Sequence, residues 1–173
     1  MTTRAGTPAL LLSLLLSPCY AGFEVSPACI TERRLGPKVA AYQAKLDEAK
    51  TRVGVHADFA LKIVNNAIDA GYTDVGDVFT TVVYDDQMKP QSFVVNVAAD
   101  FLERQPEILL ESSSLHEVCH VKEDDLPGYN RNGANVEVAE EACVLGVVGR
   151  PRYEEYLRAY ATYQRWEEWH YTT

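Results

Sequence analysis

The chain has 173 residues, of which 47% are hydrophobic and 24% are charged, and its formal net charge is -9. This is the composition of an ordinary soluble globular protein, and the length supplies one modest hydrophobic core, so we expect a single domain. The acidic excess argues against nucleic acid as a partner and against electrostatic attachment to anionic lipid, because the scattered cations would not neutralise phosphates.

The first 21 residues have the pattern of a signal peptide. A positively charged start precedes an apolar run at 9–16 that is too short to span a bilayer, and small residues follow up to Ala21. We expect cleavage after Ala21, which gives a secreted or periplasmic protein of residues 22–173 without stable membrane insertion. The alternative is lipid attachment at Cys19, but the proline directly before this cysteine fits a lipoprotein site poorly.

Export would place the remaining cysteines in an oxidising compartment. Cleavage after Ala21 leaves Cys29, Cys119 and Cys143, which is an odd number. The simplest expectation for the mature chain is therefore one disulfide and one free thiol.

The first half of the mature chain combines one helix with strands. Residues 22–35 are predicted as an irregular segment, and an apolar stripe predicts a helix over 37–53. Residues 59–64 are a candidate strand. Residues 78–84 are a stronger one, rich in β-branched and aromatic residues, and after a turn residues 92–98 form another. The last two strands are expected to form a β-hairpin.

Helices dominate the second half of the chain. Pro106 stands where a proline begins a helix, and a loop of glycine, proline and asparagine is predicted at 123–133. The predicted helices are 106–122, 135–148 and 151–170. The fold class that follows is α+β: a small twisted sheet packed on the helix at 106–122, with a helical C-terminal half.

Residues 116–120 have the sequence His-Glu-Val-Cys-His and lie within a predicted helix. His116 and His120, four positions apart, lie on one face of a helix, where both imidazoles can bind one metal ion. Glu117 lies beside them and can take a proton from a water molecule that the metal polarises. The alternative is a surface helix with two solvated histidines. The preceding strand and the following helix with its carboxylates favour a metal site, and we expect Zn2+ with a third protein ligand.

In this arrangement the sequence resembles the zincin metallopeptidases that carry HExxH, and among them the gluzincin group. In that group an edge strand precedes the HExxH helix, and a glutamate from a later helix completes the zinc site. The strand at 92–98, the motif at 116–120 and the helix from Asn135 follow the same order, so the resemblance covers about residues 78–148. It implies a zinc-dependent peptidase acting on a peptide or protein substrate, with the strand at 92–98 as the edge that pairs with an extended substrate.

Glu137, Glu140 and Glu141 are the candidates for the third ligand. The predicted buried face of their helix comprises Val136, Ala139, Glu140, Cys143 and Val147. A carboxylate on that face needs a charged partner, which zinc would supply, so we choose Glu140. Its distance from His120 along the chain also matches thermolysin-like gluzincins. Those enzymes carry a supporting aspartate where this chain has Val144, which leaves open the alternative that Glu137 is the ligand with Glu141 as its supporter.

The same two helices carry two cysteines. If the helices of His116 and Glu140 face one zinc ion, Cys119 and Cys143 point to the same side of it, and we expect a disulfide between them. The alternatives are two buried thiols, or a bond from Cys29 to either one.

Four tyrosines recur at helical spacing on the last predicted helix: Tyr153, Tyr156, Tyr160 and Tyr163. Such a stripe predicts core packing. The alternative role is that one of them, or Tyr129, donates a hydrogen bond to the oxyanion that develops during hydrolysis.

Two functional hypotheses follow from the sequence. The first is a secreted zinc metallopeptidase in which His116, His120 and Glu140 hold Zn2+ and Glu117 is the general base. The second is a non-catalytic secreted binding protein with a structural or vestigial zinc site. The intact Glu117 favours the enzyme, because a structural site does not need a base and tends to fill its fourth position with a protein ligand.

Overall fold

A computed structural model of the chain describes residues 24–65, 77–87, 89–123, 125–126, 129–130 and 136–172, and the side chains in these ranges except 123–138 and 163–172. The predicted signal peptide at 1–21 lies outside the described residues. The elements in chain order are α1 (Pro27–Glu32), α2 (Gly36–Val53), β1 (Phe59–Val64), β2 (Val78–Tyr84), β3 (Pro90–Ala98), α3 (Ala99–Arg104), α4 (Glu107–Glu123), β4 (Asp125–Leu126), β5 (Tyr129–Asn130), α5 (Val136–Val148) and α6 (Arg150–Thr172). The predicted α+β class is confirmed.

The predicted helices and strands are all present, with ends that differ by a few residues. Two short helices, α1 and α3, and the two-residue strands β4 and β5 were not predicted. The expectation of an irregular segment over 22–35 was wrong at α1, and that of a loop over 123–133 was wrong at β4 and β5. The Ser26 side chain caps α1 by accepting from the Cys29 backbone N–H, and Pro27 occupies the first turn. This serine-proline pair is a local start signal for a helix. Helices this short show no apolar periodicity, and that is why the pattern missed them.

The main sheet has three strands in the order β1-β3-β2. β3 runs parallel to β1 and antiparallel to β2, which confirms the predicted hairpin. The central position of β3 overturns the expectation that residues 92–98 are an edge strand. From Phe93 onward β3 is paired on both sides, so this part of the strand has no free edge for a substrate. Among the described strands, β1 and β2 form the two edges.

The helix α4 is the central element of the core. It packs against α2, α5 and α6, and against β2 of the sheet. Leu115, Val118 and Cys119 on α4 are almost completely buried, as are Tyr42 and Leu46 on α2. Because α4 has neighbours on several sides, the predicted motif at 116–120 lies where helices and sheet meet.

Polar contacts also join three of these helices. Glu111 on α4 accepts a hydrogen bond of 2.7 Å from the Tyr156 hydroxyl of α6 and pairs with Arg152 of the same helix. Arg52 of α2 lies 3.4 Å from the same carboxylate. Burial opposes the charge of Glu111, but the hydrogen bonds from Tyr156 and Arg152 outweigh it and lower the pKa of this carboxyl. Glu111 therefore connects α2, α4 and α6 through one ionised group.

Across the described ranges, no helix has both the length and the apolar character that crossing a bilayer requires. Cys119 and Cys143 form a disulfide. Disulfides are typical of proteins that fold outside the reducing cytosol.

Candidate metal centre

The two histidines of the motif meet on one face of α4. Their Nε2 atoms lie 2.9 Å apart, and their ring centroids lie 4.4 Å apart in an edge-on arrangement. The i and i+4 positions on a helix produce this approach, because successive turns place them one above the other. The His116 side chain is 46% exposed and the His120 side chain 15%, so one side of the pair is open to solvent.

The helix α5 brings Glu140 to the same place. Its carboxylate contacts His116 Nδ1 through Oε1, and its Oε2 lies 3.9 Å from His120 Nε2. One possible ligand atom from each of His116, His120 and Glu140 lies within 4.8 Å of the others. Two ligands of a tetrahedral zinc ion are about 3.4 Å apart when each bond is about 2.1 Å. These three residues could therefore hold a metal ion.

The structure describes the side chains of two of the three candidates for the third ligand, and their surroundings differ. Glu140 has an exposed side-chain fraction of only 8% and faces the histidines, as the helical face predicted. Glu141 is exposed and forms a hydrogen bond with Tyr153 of α6. The side chain of Glu137 lies outside the described residues. Val144, at the position of the missing aspartate, is buried.

Glu117 lies next to the metal group but is oriented toward the core. It is 3% exposed, and its Oε2 accepts a hydrogen bond of 2.7 Å from the Thr80 hydroxyl of β2. Burial raises the pKa of Tyr42 on α2, and the nearby negative charge of Glu117 raises it further. The carboxylate of Glu117 is therefore enclosed by α2 and β2, and it is not one of the three grouped ligands.

The local charge balance favours a cation. Counted over the whole residue, Glu117 and Glu140 are 3% and 6% exposed. Within the described part of the chain, neither carboxylate forms an ion pair with a lysine or arginine. A buried carboxylate without a positive partner is strongly destabilising in an ionised state. A metal ion between the two histidines and Glu140 would offset this charge, so the donor set and the burial both fit a bound metal.

The predicted disulfide between Cys119 and Cys143 is confirmed. The two Cα atoms lie 5.9 Å apart, and the bond links α4 to α5 next to both halves of the metal group. Cys29 is also disulfide-bonded, and no described cysteine is free. The expectation of one free thiol concerns the mature chain of residues 22–173, so it stays a prediction.

The tyrosine stripe on α6 is only partly a core feature. Tyr156 is buried and holds Glu111, whereas Tyr160 is 52% exposed. Tyr153 is partly buried, and burial followed by the charges of Glu141 and Glu140 raises its pKa. The stripe prediction is wrong at Tyr160, whereas Arg152 and Tyr156, nearer the start of α6, contact Glu111 of α4. The side chain of Tyr163 lies outside the described residues.

One residue at the site was not found by sequence reasoning. Thr80 is 37 positions before Glu117 in the chain, and it was assigned only to a strand. A buried threonine in a β-branched strand carries no local signal that distinguishes it from its neighbours. Only the packing of β2 on α4 identifies its contact.

In comparisons with known proteins, no family model matches this chain, and no curated protein or solved structure shows significant similarity to it.

Proposed function

We propose that this protein is a secreted zinc metallopeptidase that resembles the gluzincins. The observation that carries the proposal is the convergence of His116, His120 and Glu140 from two helices, with their possible ligand atoms within 4.8 Å of one another. Two imidazoles and one carboxylate are a ligand set of catalytic zinc sites, in which the fourth position stays open. The His116 side chain is partly exposed, so water can reach the candidate site from solvent. This exposure supports an open fourth position on the metal.

The chemistry divides between the metal and the chain. When bound, zinc would polarise the substrate carbonyl and make a water molecule acidic enough to attack it near neutral pH. Glu117 would accept the proton of that water through a carboxylate oxygen and donate it to the leaving amine. His116, His120 and Glu140 would hold their positions during this exchange, supported by the disulfide that joins their helices.

The proposed substrate is a peptide or protein segment in extended conformation. Since β3 is central, β2 is the strand of this sheet that we propose for pairing with the substrate. β2 is an edge among the described strands and carries Thr80, which contacts Glu117. A strand added at this edge would lie close to the general base.

Export is part of the proposal. The signal-peptide pattern at 1–21 and the disulfide between Cys119 and Cys143 both support it. N-terminal sequencing of the exported protein is expected to begin at Gly22. A mature protein that begins with a lipidated Cys19 would contradict release and favour membrane anchoring.

One observation favours a second candidate function, a non-catalytic binding protein with a structural metal. Glu117 is buried and already bonded to Thr80, which is the environment of a structural residue. The two candidates differ in a single measurable property, which is turnover that depends on Glu117.

The test begins with metal content. The purified wild type is expected to contain about one zinc ion per chain, and H116A and H120A should each lose most of it. H56A is the matched control, because His56 is exposed and lies outside the metal group. A wild type without transition metal above background, measured by elemental analysis, would overturn the proposal.

Turnover is then measured with a diverse pool of unfolded peptides. Glutamine is nearly isosteric with glutamate but cannot take the proton, so E117Q should keep zinc and lose at least about 100-fold in rate. Equal turnover by E117Q and the wild type would remove Glu117 from the mechanism. Stoichiometric zinc with no cleavage by the wild type would favour the structural metal.

A further inference from the structure

The Glu117 side chain on α4 is hydrogen-bonded to Thr80 on strand β2. We infer that Thr80 is a positioning residue for Glu117, and that it orients this carboxylate for proton transfer in the reaction proposed above. The inference rests on that proposed function and adds to it a strand residue that the HExxH pattern does not contain.

The hydrogen bond has the geometry and setting of a strong interaction. The Thr80 hydroxyl donates to Glu117 Oε2 over 2.7 Å, and the two residues are 4% and 3% exposed. Hydrogen bonds to a charged acceptor away from water are about twice as strong as neutral ones. The bond therefore restricts the rotation of the Glu117 side chain.

Thr80 is itself held rigidly. Its backbone is paired with Val95 of the central strand β3, and its β-branched side chain has restricted rotation. The donor is thus fixed by the sheet, whereas the acceptor is fixed by α4. The position of the carboxylate relative to His116 and His120 then follows from how β2 packs on α4.

No other described residue makes this contact. Tyr42 is fully buried and near Glu117, but its hydroxyl is 3.3 Å from Ser113, and no hydrogen bond links it to the carboxylate. Among the described residues, Thr80 is therefore the hydrogen-bond donor to Glu117. Thr80 engages Oε2 of Glu117. The other oxygen, Oε1, accepts no hydrogen bond from a described residue, so Oε1 is the atom that would take the proton.

Loss of this bond should affect turnover rather than binding. A free carboxylate would sample several rotamers, and only a fraction of them would place Oε1 toward the attacking water. T80V removes the hydroxyl while it keeps the shape and the β propensity of the side chain. We expect kcat to fall about tenfold to 100-fold, with KM and zinc content close to those of the wild type.

Three variants serve as comparisons. T80S retains the hydroxyl and should restore most of kcat. T81V removes a hydroxyl from the adjacent residue, whose side chain lies on the other face of the strand. That hydroxyl donates to the Val94 carbonyl over 3.4 Å and accepts from the Asn96 amide over 3.3 Å, without contact to Glu117, so T81V should leave kcat unchanged. T80A removes the same hydroxyl without adding an apolar group, and it replaces T80V as the test if valine prevents folding.

Rates are expressed per zinc-loaded folded protein, with folding followed by circular dichroism. A kcat loss in T80V or T80A that T80S reverses and T81V lacks would support the inference. Unchanged kcat in the hydroxyl-free variant, or an equal loss in T81V, would overturn it while the peptidase function stands. A wild type that binds zinc but cleaves no peptide would overturn both, and this outcome differs from the first because the wild type itself fails.

Discussion

Two buried carboxylates, Glu117 and Glu140, lie at or beside the candidate metal site, and their surroundings differ. Glu140 faces two imidazoles, whereas Glu117 faces a threonine hydroxyl and the core. The difference between them follows from their positions: one lies on α5 opposite the histidines, and the other lies beside His116 on α4. In the proposed function, this arrangement would separate metal binding by Glu140 from proton transfer by Glu117.

The role of Glu140 can be tested against its neighbour. E140Q should weaken zinc binding by more than about 100-fold, because it replaces an anionic ligand with a neutral amide, and even outer contacts of a metal site contribute about 10- to 100-fold. E141Q is the matched control, because Glu141 is adjacent but exposed. Zinc affinity measured by competition with a chelator checks the ranking. A larger loss in E141Q or E137Q would move the third ligand to that residue.

At the element scale, α4 depends on its contacts with α2, α5 and α6. The disulfide between Cys119 and Cys143 fixes α4 against α5, and Glu111 fixes α4 against α6. The proposed metal ligands are divided between the two helices, with His116 and His120 on α4 and Glu140 on α5. The relative placement of these helices therefore decides whether the ligands meet.

Removal of the disulfide should weaken both folding and metal binding. The disulfide closes a loop with a sequence separation of 24, and the chain-entropy model assigns such a bond about 3 kcal/mol of stability. The double variant C119A/C143A should lose about this free energy of unfolding, because its unfolded state is less restricted. It should also bind zinc more weakly, since α5 is then held by packing alone. Denaturant unfolding and zinc titration check both effects, and an unchanged zinc affinity would show that packing is sufficient.

The Glu111 contacts predict a pH-dependent stability. E111Q should lower the free energy of unfolding by about 1 to 2 kcal/mol at neutral pH, since solvent partly screens the contacts and Arg152 retains Glu155 as a partner. E107Q is the matched control one turn earlier, because the Glu107 side chain is 83% exposed.

The sign of the pH effect follows from the lowered pKa of Glu111. Its stabilisation is complete above the ordinary carboxyl value of 4.5 and is lost as pH falls from there through the lower native pKa. The difference in stability between the wild type and E111Q should therefore shrink in acid, as measured by unfolding at pH 7 and pH 3. A difference that grows in acid would contradict the assigned contacts.

At the scale of the whole molecule, the candidate metal site lies on α4 and α5, and α4 packs against the sheet as well as against other helices. Since α4 contacts α2, α5, α6 and β2, an ion held between α4 and α5 would stabilise the whole core and not only one surface. The charge of the buried carboxylates adds to this dependence, because without a cation they destabilise the folded state.

Removal of the metal should consequently lower the melting temperature. A ligand at 100 times its Kd adds about 2.7 kcal/mol to stability, which for a protein of this size corresponds to about 5 to 10 °C in Tm. Calorimetry with and without a chelator measures this shift. E117Q removes one buried charge but no proposed ligand, so it should keep most of the shift, whereas H116A should show almost none. An unchanged wild-type Tm would exclude a metal as part of the folded core.

The sequence alone determined the features that depend on local periodicity. The spacing of His116 and His120 specifies a shared helix face whatever the rest of the fold, and the apolar pattern around Glu140 specifies the side of α5 that is buried. The fold class and most of the helices and strands also follow from local patterns, because apolar residues recur about every 3.6 residues in a helix and every 2 residues in a strand.

Only the tertiary structure decided which strand is central and which residues meet across the core. The apolar run of β3 does not identify the strands on its two sides, since strand order depends on pairing with distant β1. The contact of Thr80 with Glu117 and the contacts of Glu111 with α2 and α6 likewise join residues far apart in the chain. Such contacts have no sequence period, because they arise from how the elements pack together and not from the conformation of any one of them.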